Sequence, residues 1–155
     1  MKPTHLLLPA ALASAMIASA VAAADARVPV AHAARAGTVQ LRNTSLGKIL
    51  VDSSGFTLYE FTKDSRDKNT CVKVSGCSAV WPALSAHGSP TAGPGVKASL
   101  LSSIKLPGGA RQVTYAGHPL YLYSEAGERG ETSYVGVSHF GGRWLAVNAG
   151  GRAVS

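Results

Sequence analysis

Few residues in this chain have types and spacing that could do chemistry. Asp64, Asp67 and Asn69 lie close enough to offer oxygen ligands to Ca²⁺. Their spacing does not match a helix-flanked calcium loop, however, and Lys63, Arg66 and Lys68 interleave and offset the negative charge such a site requires. The competing role for Asp64 is structural. A carboxylate just past a strand accepts backbone N–H groups of the following loop, here Arg66 to Asn69, as an Asx-type turn. That reading is favoured. His118 and His139 would suit copper, or more remotely haem. The chain's two methionines, Met1 and Met16, both fall in the N-terminal stretch, so a His/Cys/Met copper set is excluded and loop histidines are favoured. Glu125, Glu128 and Glu131 recur at intervals of three, and paired carboxylates are what glycan hydrolysis uses. Gly127 and Gly130 place them in a loop where nothing sets their separation, so a solvated loop is the better reading. No Gly-x-Ser-x-Gly elbow and no phosphate-cradling glycine loop occurs. No cofactor is expected, and Asp64, Asp67, His118 and His139 stand only as weak metal candidates.

The N-terminus sets the compartment. Lys2 and His5 precede an apolar, Ala-rich run from Leu6 to Val21, and Ala22-Ala23-Ala24 offers a cleavage site before Asp25. Residues 1–24 are therefore read as a signal peptide, with no transmembrane span after cleavage. Residues 25–37 are read as a flexible leader. No cysteine lies near the cleavage point to carry an acyl anchor, so the mature protein is expected to be soluble, in the periplasm or secreted. In that oxidising setting Cys71 and Cys77, the only cysteines, are expected to form a disulfide. The net charge of +7 is spread singly, without the clustered Lys/Arg and interleaved aromatics of a nucleic-acid surface. No nucleic-acid partner is expected.

The elements that would position these residues come in two copies. Gly55-Phe56-Thr57-Leu58-Tyr59-Glu60-Phe61 coincides with Gly117-His118-Pro119-Leu120-Tyr121-Leu122-Tyr123 at an offset of 62 in Gly, Leu, Tyr and a final aromatic. Val51 falls on Val113, and Trp81 on Trp144 after a one-residue gap. Each copy reads as a β-hairpin followed by a Gly/Ser-rich loop and a Trp. The first hairpin turns at Asp52 to Gly55, the second at Ala116-Gly117. Alternation sends Leu58 and Glu60 to one face and Tyr59 and Phe61 to the other. The expected fold is all-β, mainly antiparallel hairpins, with the two copies packed into one domain over residues 38–148. Copy one spans about 38–86 and copy two about 97–148, with 149–155 as a C-terminal tail. Gly88 to Gly95 reads as a surface linker, and Ala98 to Ile104 as the best helical candidate. Trp81 and Trp144, at matched positions, read as core.

Tyr59-Glu60-Phe61-Thr62-Lys63-Asp64, then Cys71, then Cys77-Ser78-Ala79-Val80-Trp81-Pro82 resembles the secreted-repeat lipoproteins of bacteria. These carry a Tyr-x-aromatic-x-x-Asp motif in tandem copies with a Cys…Cys-x-x-x-Trp-Pro segment after it. The motif positions here are Tyr59, Phe61 and Asp64, and Tyr121 and Tyr123 in copy two. Ala126 stands where the second Asp would be. The resemblance implies fold and export but no biochemical activity. The expectation is a non-enzymatic envelope module that binds a partner protein, polymer or small ligand and is a monomer. The alternatives are a metal- or cofactor-linked envelope protein, with Ca or with Cu or haem, and third, an enzyme acting on wall glycan.

Overall fold

The computed structural model describes residues 37–155. The expected signal peptide and all but the last residue of the expected leader lie outside the described residues. Among the described residues, ten short strands build an all-β fold, as the alternating pattern requires. Strands β1 (Thr38–Thr44) and β2 (Gly47–Asp52) form a first antiparallel hairpin, and β3 (Tyr59–Phe61) follows the turn. A 3₁₀ turn at Cys71–Lys73 and one helical turn, α1 (Cys77–Val80), flank the disulfide between Cys71 and Cys77. Next come β4 (Thr91–Ala92), β5 (Leu101–Lys105), β6 (Arg111–Tyr115) and β7 (His118–Pro119). The chain closes with β8 (Ser138–His139), β9 (Gly142–Val147) and β10 (Ala153–Val154). Three small sheets result, ordered β2-β1-β4, β10-β9-β3 and β5-β6-β7.

The hairpin turns follow their residue chemistry. The Asp52 carboxylate accepts the N–H groups of Ser54 and Phe56 and closes the first turn, after which Leu58 donates to the Leu50 carbonyl. The second turn uses only Ala116 and Gly117, both at positive φ (52° and 84°), as a two-residue hairpin demands. There Leu120 donates to the Val113 carbonyl. Val113 therefore holds the place of Leu50, not of Val51, because the second turn is one residue shorter.

Three segments depart from the sequence expectation. Ala98 to Ile104 is not a helix: a 3₁₀ turn covers Ala98–Leu100, and Leu101–Lys105 pairs along β6. A neighbouring strand offers this short segment a full ladder of hydrogen bonds, which overrides weak helical propensity. The expected linker 88–95 contains β4, which pairs parallel with β1. Gly93 donates to the Val39 carbonyl at 2.8 Å, and a Cβ there would lie 3.1 Å from that same oxygen, so a larger residue would require the two segments to give by a few tenths of an ångström. The residues expected as a tail include β10, which pairs with β9.

Alternation divides the core. Leu50, Leu58, Val113, Leu120 and Leu122 pack in one cluster. Tyr59, Phe61, Tyr121, Trp81, Trp144 and the cystine pack in the other. The polar residue on the Leu58 face, Glu60, is also buried, at 7% exposure.

Candidate functional site

The two aromatic strands meet at their motif tyrosines. Tyr59 and Tyr121, which coincide at the 62-residue offset, exchange both backbone hydrogen bonds at 2.9 Å across an antiparallel bridge. Each strand then pairs with a Trp-bearing segment far away in sequence. Tyr59 lies opposite Ala146, and Phe61 opposite Trp144. Tyr121 lies opposite Ala83, and Leu122 donates to the Pro82 carbonyl. These pairings carry Trp81 and Trp144 face to face, with centroids 4.1 Å apart and planes 3° from parallel. Each indole N–H is taken by one residue: Trp81 donates to His139 Nδ1 and Trp144 to the His139 carbonyl.

Behind the rings lies a polar cluster that only tertiary pairing assembles. The loop after β3 folds back over the second hairpin, where the Asp67 N–H reaches the Gly117 carbonyl. Asp64 then accepts the Tyr121 hydroxyl on Oδ2 and the Thr70 N–H on Oδ1, both at 2.6 Å. Asn69 donates to the Gln112 side chain, and Gln112, fully buried, donates in turn to the Leu120 carbonyl. Glu60 Oε2 lies 3.3 Å from His118 Nδ1, whose ring is half-exposed.

Burial dominates the electrostatics. It pushes the Asp64 carboxyl above its ordinary range, although the hydrogen bonds from Tyr121 and Thr70 pull the other way. Burial also raises Glu60; the His118 imidazole opposes that rise and the Asp64 carboxylate adds to it. The Tyr121 hydroxyl is raised by burial and then by its bond to Asp64, so it stays protonated and donates.

The sign of this effect makes a prediction. A carboxyl whose folded pKa is raised stabilises the fold while protonated, below its ordinary value of 4.5 for Glu60. That contribution is lost as pH rises through the folded value. Glu60→Gln should therefore melt with the wild type in acid and above it at neutral pH. Thermal melts of both proteins from about pH 3 to about pH 8 would check this. A constant difference across that range would contradict it.

The other sequence candidates are not gathered with Asp64. Asp67 is left-handed (φ 56°), about half-exposed, and lies 3.8 Å from Arg66. His139 accepts from Trp81 and stacks on Phe140. Glu131 accepts the Gly127 N–H, Glu125 meets the Tyr123 hydroxyl at 3.4 Å, and Glu128 is exposed. Among the described residues no group of three or more His, Cys, Asp or Glu is placed to hold a metal ion. Of the motif aromatics, Tyr59, Phe61 and Tyr121 are buried and Tyr123 is half-buried.

The Asp64 role expected from sequence was an Asx turn onto residues 66–69. The observed partners are Thr70, one residue further on, and Tyr121, from the other hairpin. Glu60 and Gln112 were missed, although alternation had placed Glu60 on the face of Leu58, and a charge on a core face was the available signal.

The motif, the cystine and the Trp-Pro segment occupy one stretch of this architecture, and that stretch is what the family comparison finds. Residues 40–85 match a family described as a secreted repeat of unknown function. The matched repeat contains nearly all of the first hairpin, then Tyr59, Phe61, Asp64, both cysteines and Trp81. No curated protein and no solved structure matches the chain. Among the described residues no helix is long and apolar enough to cross a membrane.

Proposed function

We propose that this protein is an exported, non-enzymatic module of the cell envelope, built from two interlocked copies of the secreted repeat. The observation that carries this reading is the Tyr121–Asp64 hydrogen bond, in which the motif tyrosine of one copy is received by the motif aspartate of the other. The motif so used is a fastener that holds the copies together. Other pairings come in matching twos that support a pseudo-twofold relation. Ile49 bridges Asn148 as Gln112 bridges Ser85. Asp67 donates to Gly117 as Gly130 donates to Gly55. With the motif occupied by structure, contact with a periplasmic or extracellular protein, polymer or small ligand falls to the exposed loops, and the module acts as a monomer.

Asp64→Ala tests the fastener. It leaves the Tyr121 hydroxyl and the Thr70 N–H buried without their acceptor, and is expected to lower the unfolding free energy by about 2 kcal/mol. In a double-mutant cycle with Tyr121→Phe the two losses should be strongly non-additive, with a coupling of about 1 kcal/mol or more. Additive losses, or no loss on Asp64→Ala, would remove the basis for this reading.

A further inference from the structure

The aromatic rings form one continuous column. Phe61, Trp144, Trp81, Tyr123 and Tyr134 follow one another with centroids 4.2, 4.1, 4.8 and 3.9 Å apart. Both indoles are fully buried, while Tyr123 and Tyr134 at the far end are only partly buried. Tyr121 stands edge-on to the column, 5.1 Å from Trp144, and is itself fully buried. Its hydroxyl points at the Asp64 carboxylate 2.6 Å away. A buried phenol with a base at hydrogen-bond distance, in contact with stacked indoles that connect through Tyr123 and Tyr134 to the surface, is an arrangement suited to one-electron chemistry.

We infer that Tyr121 is a redox-active tyrosine, oxidised through the ring column with Asp64 as the acceptor of its proton. An outer-sphere metal complex acting as a one-electron oxidant, such as a ruthenium(III) polypyridyl, takes an electron at Tyr134 or Tyr123 and is itself reduced by one electron. The vacancy passes through Trp81 and Trp144, and Tyr121 supplies the electron. Its O–H bond breaks as a new O–H bond forms on Asp64 Oδ2. The products are a neutral tyrosyl radical and a neutral carboxylic acid, so the protein has lost one electron and no proton.

Geometry singles out Tyr121 among the rings. A phenol that loses an electron in an apolar interior must shed its proton at once, because a buried cation is costly. Burial has already raised the affinity of Asp64 for that proton. Tyr123 meets Glu125 only at 3.4 Å and at the surface. Trp81 has a base as well, His139 Nδ1, but at 3.3 Å. The type of the trapped radical separates tryptophan from tyrosine, and phenylalanine variants separate the two tyrosines.

The full chain would be photo-oxidised at neutral pH with a ruthenium tris-bipyridine complex and persulfate, frozen, and read by electron paramagnetic resonance. A neutral tyrosyl signal is expected, absent in Tyr121→Phe. Asp64→Asn, which keeps an oxygen for the hydroxyl but removes the base, should lower the signal by about tenfold or more. Tyr123→Phe should slow its appearance without abolishing it. A tryptophanyl signal in the wild type overturns the inference. So does a tyrosyl signal that survives Tyr121→Phe and vanishes in Tyr123→Phe. Should the Tyr121 or Asp64 variant fail to fold by circular dichroism, the wild type decides alone. Its signal must fall as Asp64 is protonated in acid, and a yield independent of pH refutes the role of Asp64. The melts of Asp64→Ala report the fastener separately, so either reading can fail without the other.

Discussion

Trp144→Ala is expected to lower the unfolding free energy by about 4 kcal/mol, a larger loss than that of Asp64→Ala. Trp144 is fully buried and packs against three other rings. Trp81 stacks on one face at 4.1 Å, Phe61 on the other at 4.2 Å, and Tyr121 meets it edge-on at 5.1 Å. Truncation removes the transfer free energy of an indole and leaves a cavity whose walls are rigid rings. Such walls relax poorly, and the cost of a cavity rises with the volume that cannot collapse. Domains of this size are stable by only about 5–15 kcal/mol, so the variant would lose a large part of that margin. It also weakens the register of β9 against β3, since Trp144 is the residue paired with Phe61. Urea denaturation followed by circular dichroism measures the effect. A loss below about 2 kcal/mol would mean that the stacked pair is not the centre of this core. Trp144→Phe keeps part of the stacking and should recover a substantial share of the loss.

The second large effect is removal of the disulfide. The cystine closes a loop with a sequence separation of 6, and both half-cystines are fully buried beside Trp81. Constraining so short a loop in the unfolded chain contributes about 2 kcal/mol. Burial of the sulfur atoms against the aromatic cluster adds to that. Cys71→Ala with Cys77→Ala is therefore expected to lower the unfolding free energy by about 3 kcal/mol. The loop does more than tie its own ends. It carries the chain from Thr70, whose N–H Asp64 accepts, to α1 and then to Trp81. Loosening it should also weaken the Tyr121–Asp64 bond. Hydrogen exchange at the Thr70 amide, compared between the oxidised protein and the double variant, gives that second readout. Protection at Thr70 unchanged by loss of the cystine would show the loop and the fastener to be independent.

These two effects fall in the aromatic cluster, and that of Asp64→Ala falls at its margin. The clustering follows from how the chain divides its hydrophobic surface. Aliphatic residues from both hairpins fill one layer, and the aromatic residues of the motif and the two Trp segments fill the other. The aromatic layer is where the two hairpins grip each other, so a residue lost there loosens both halves at once.

Much of this was written locally. Turn chemistry at Asp52 to Gly55 and at Ala116-Gly117 marks both hairpins, because Asp, Ser and Gly satisfy turn backbones that few other residues can. The two-residue period of Leu58, Tyr59, Glu60 and Phe61 assigns each side chain to its layer. The offset of 62 matches Tyr59 to Tyr121, and a one-residue gap matches Trp81 to Trp144. Two cysteines close in sequence, in a chain expected to be exported, indicate the disulfide, and the two do form it. Each inference depends on neighbours in sequence, where geometry is fixed by a few bonds.

What no local pattern could decide is which strand finds which. Phe61 and Trp144 stand far apart in sequence, yet they sit opposite each other in adjacent strands. Long-range pairing is selected by the whole set of contacts, each too weak to be read alone. For the same reason most of Ala98 to Ile104, the best helical candidate in the sequence, becomes part of strand Leu101–Lys105 once β6 lies alongside. Asp64 shows the division most clearly. Its type and position promised a carboxylate that would receive hydrogen bonds, and it does receive them. That one of the donors is Tyr121, brought across from the other hairpin, was decided by tertiary structure alone, because only folding places a phenol and a carboxylate 57 residues apart within 2.6 Å.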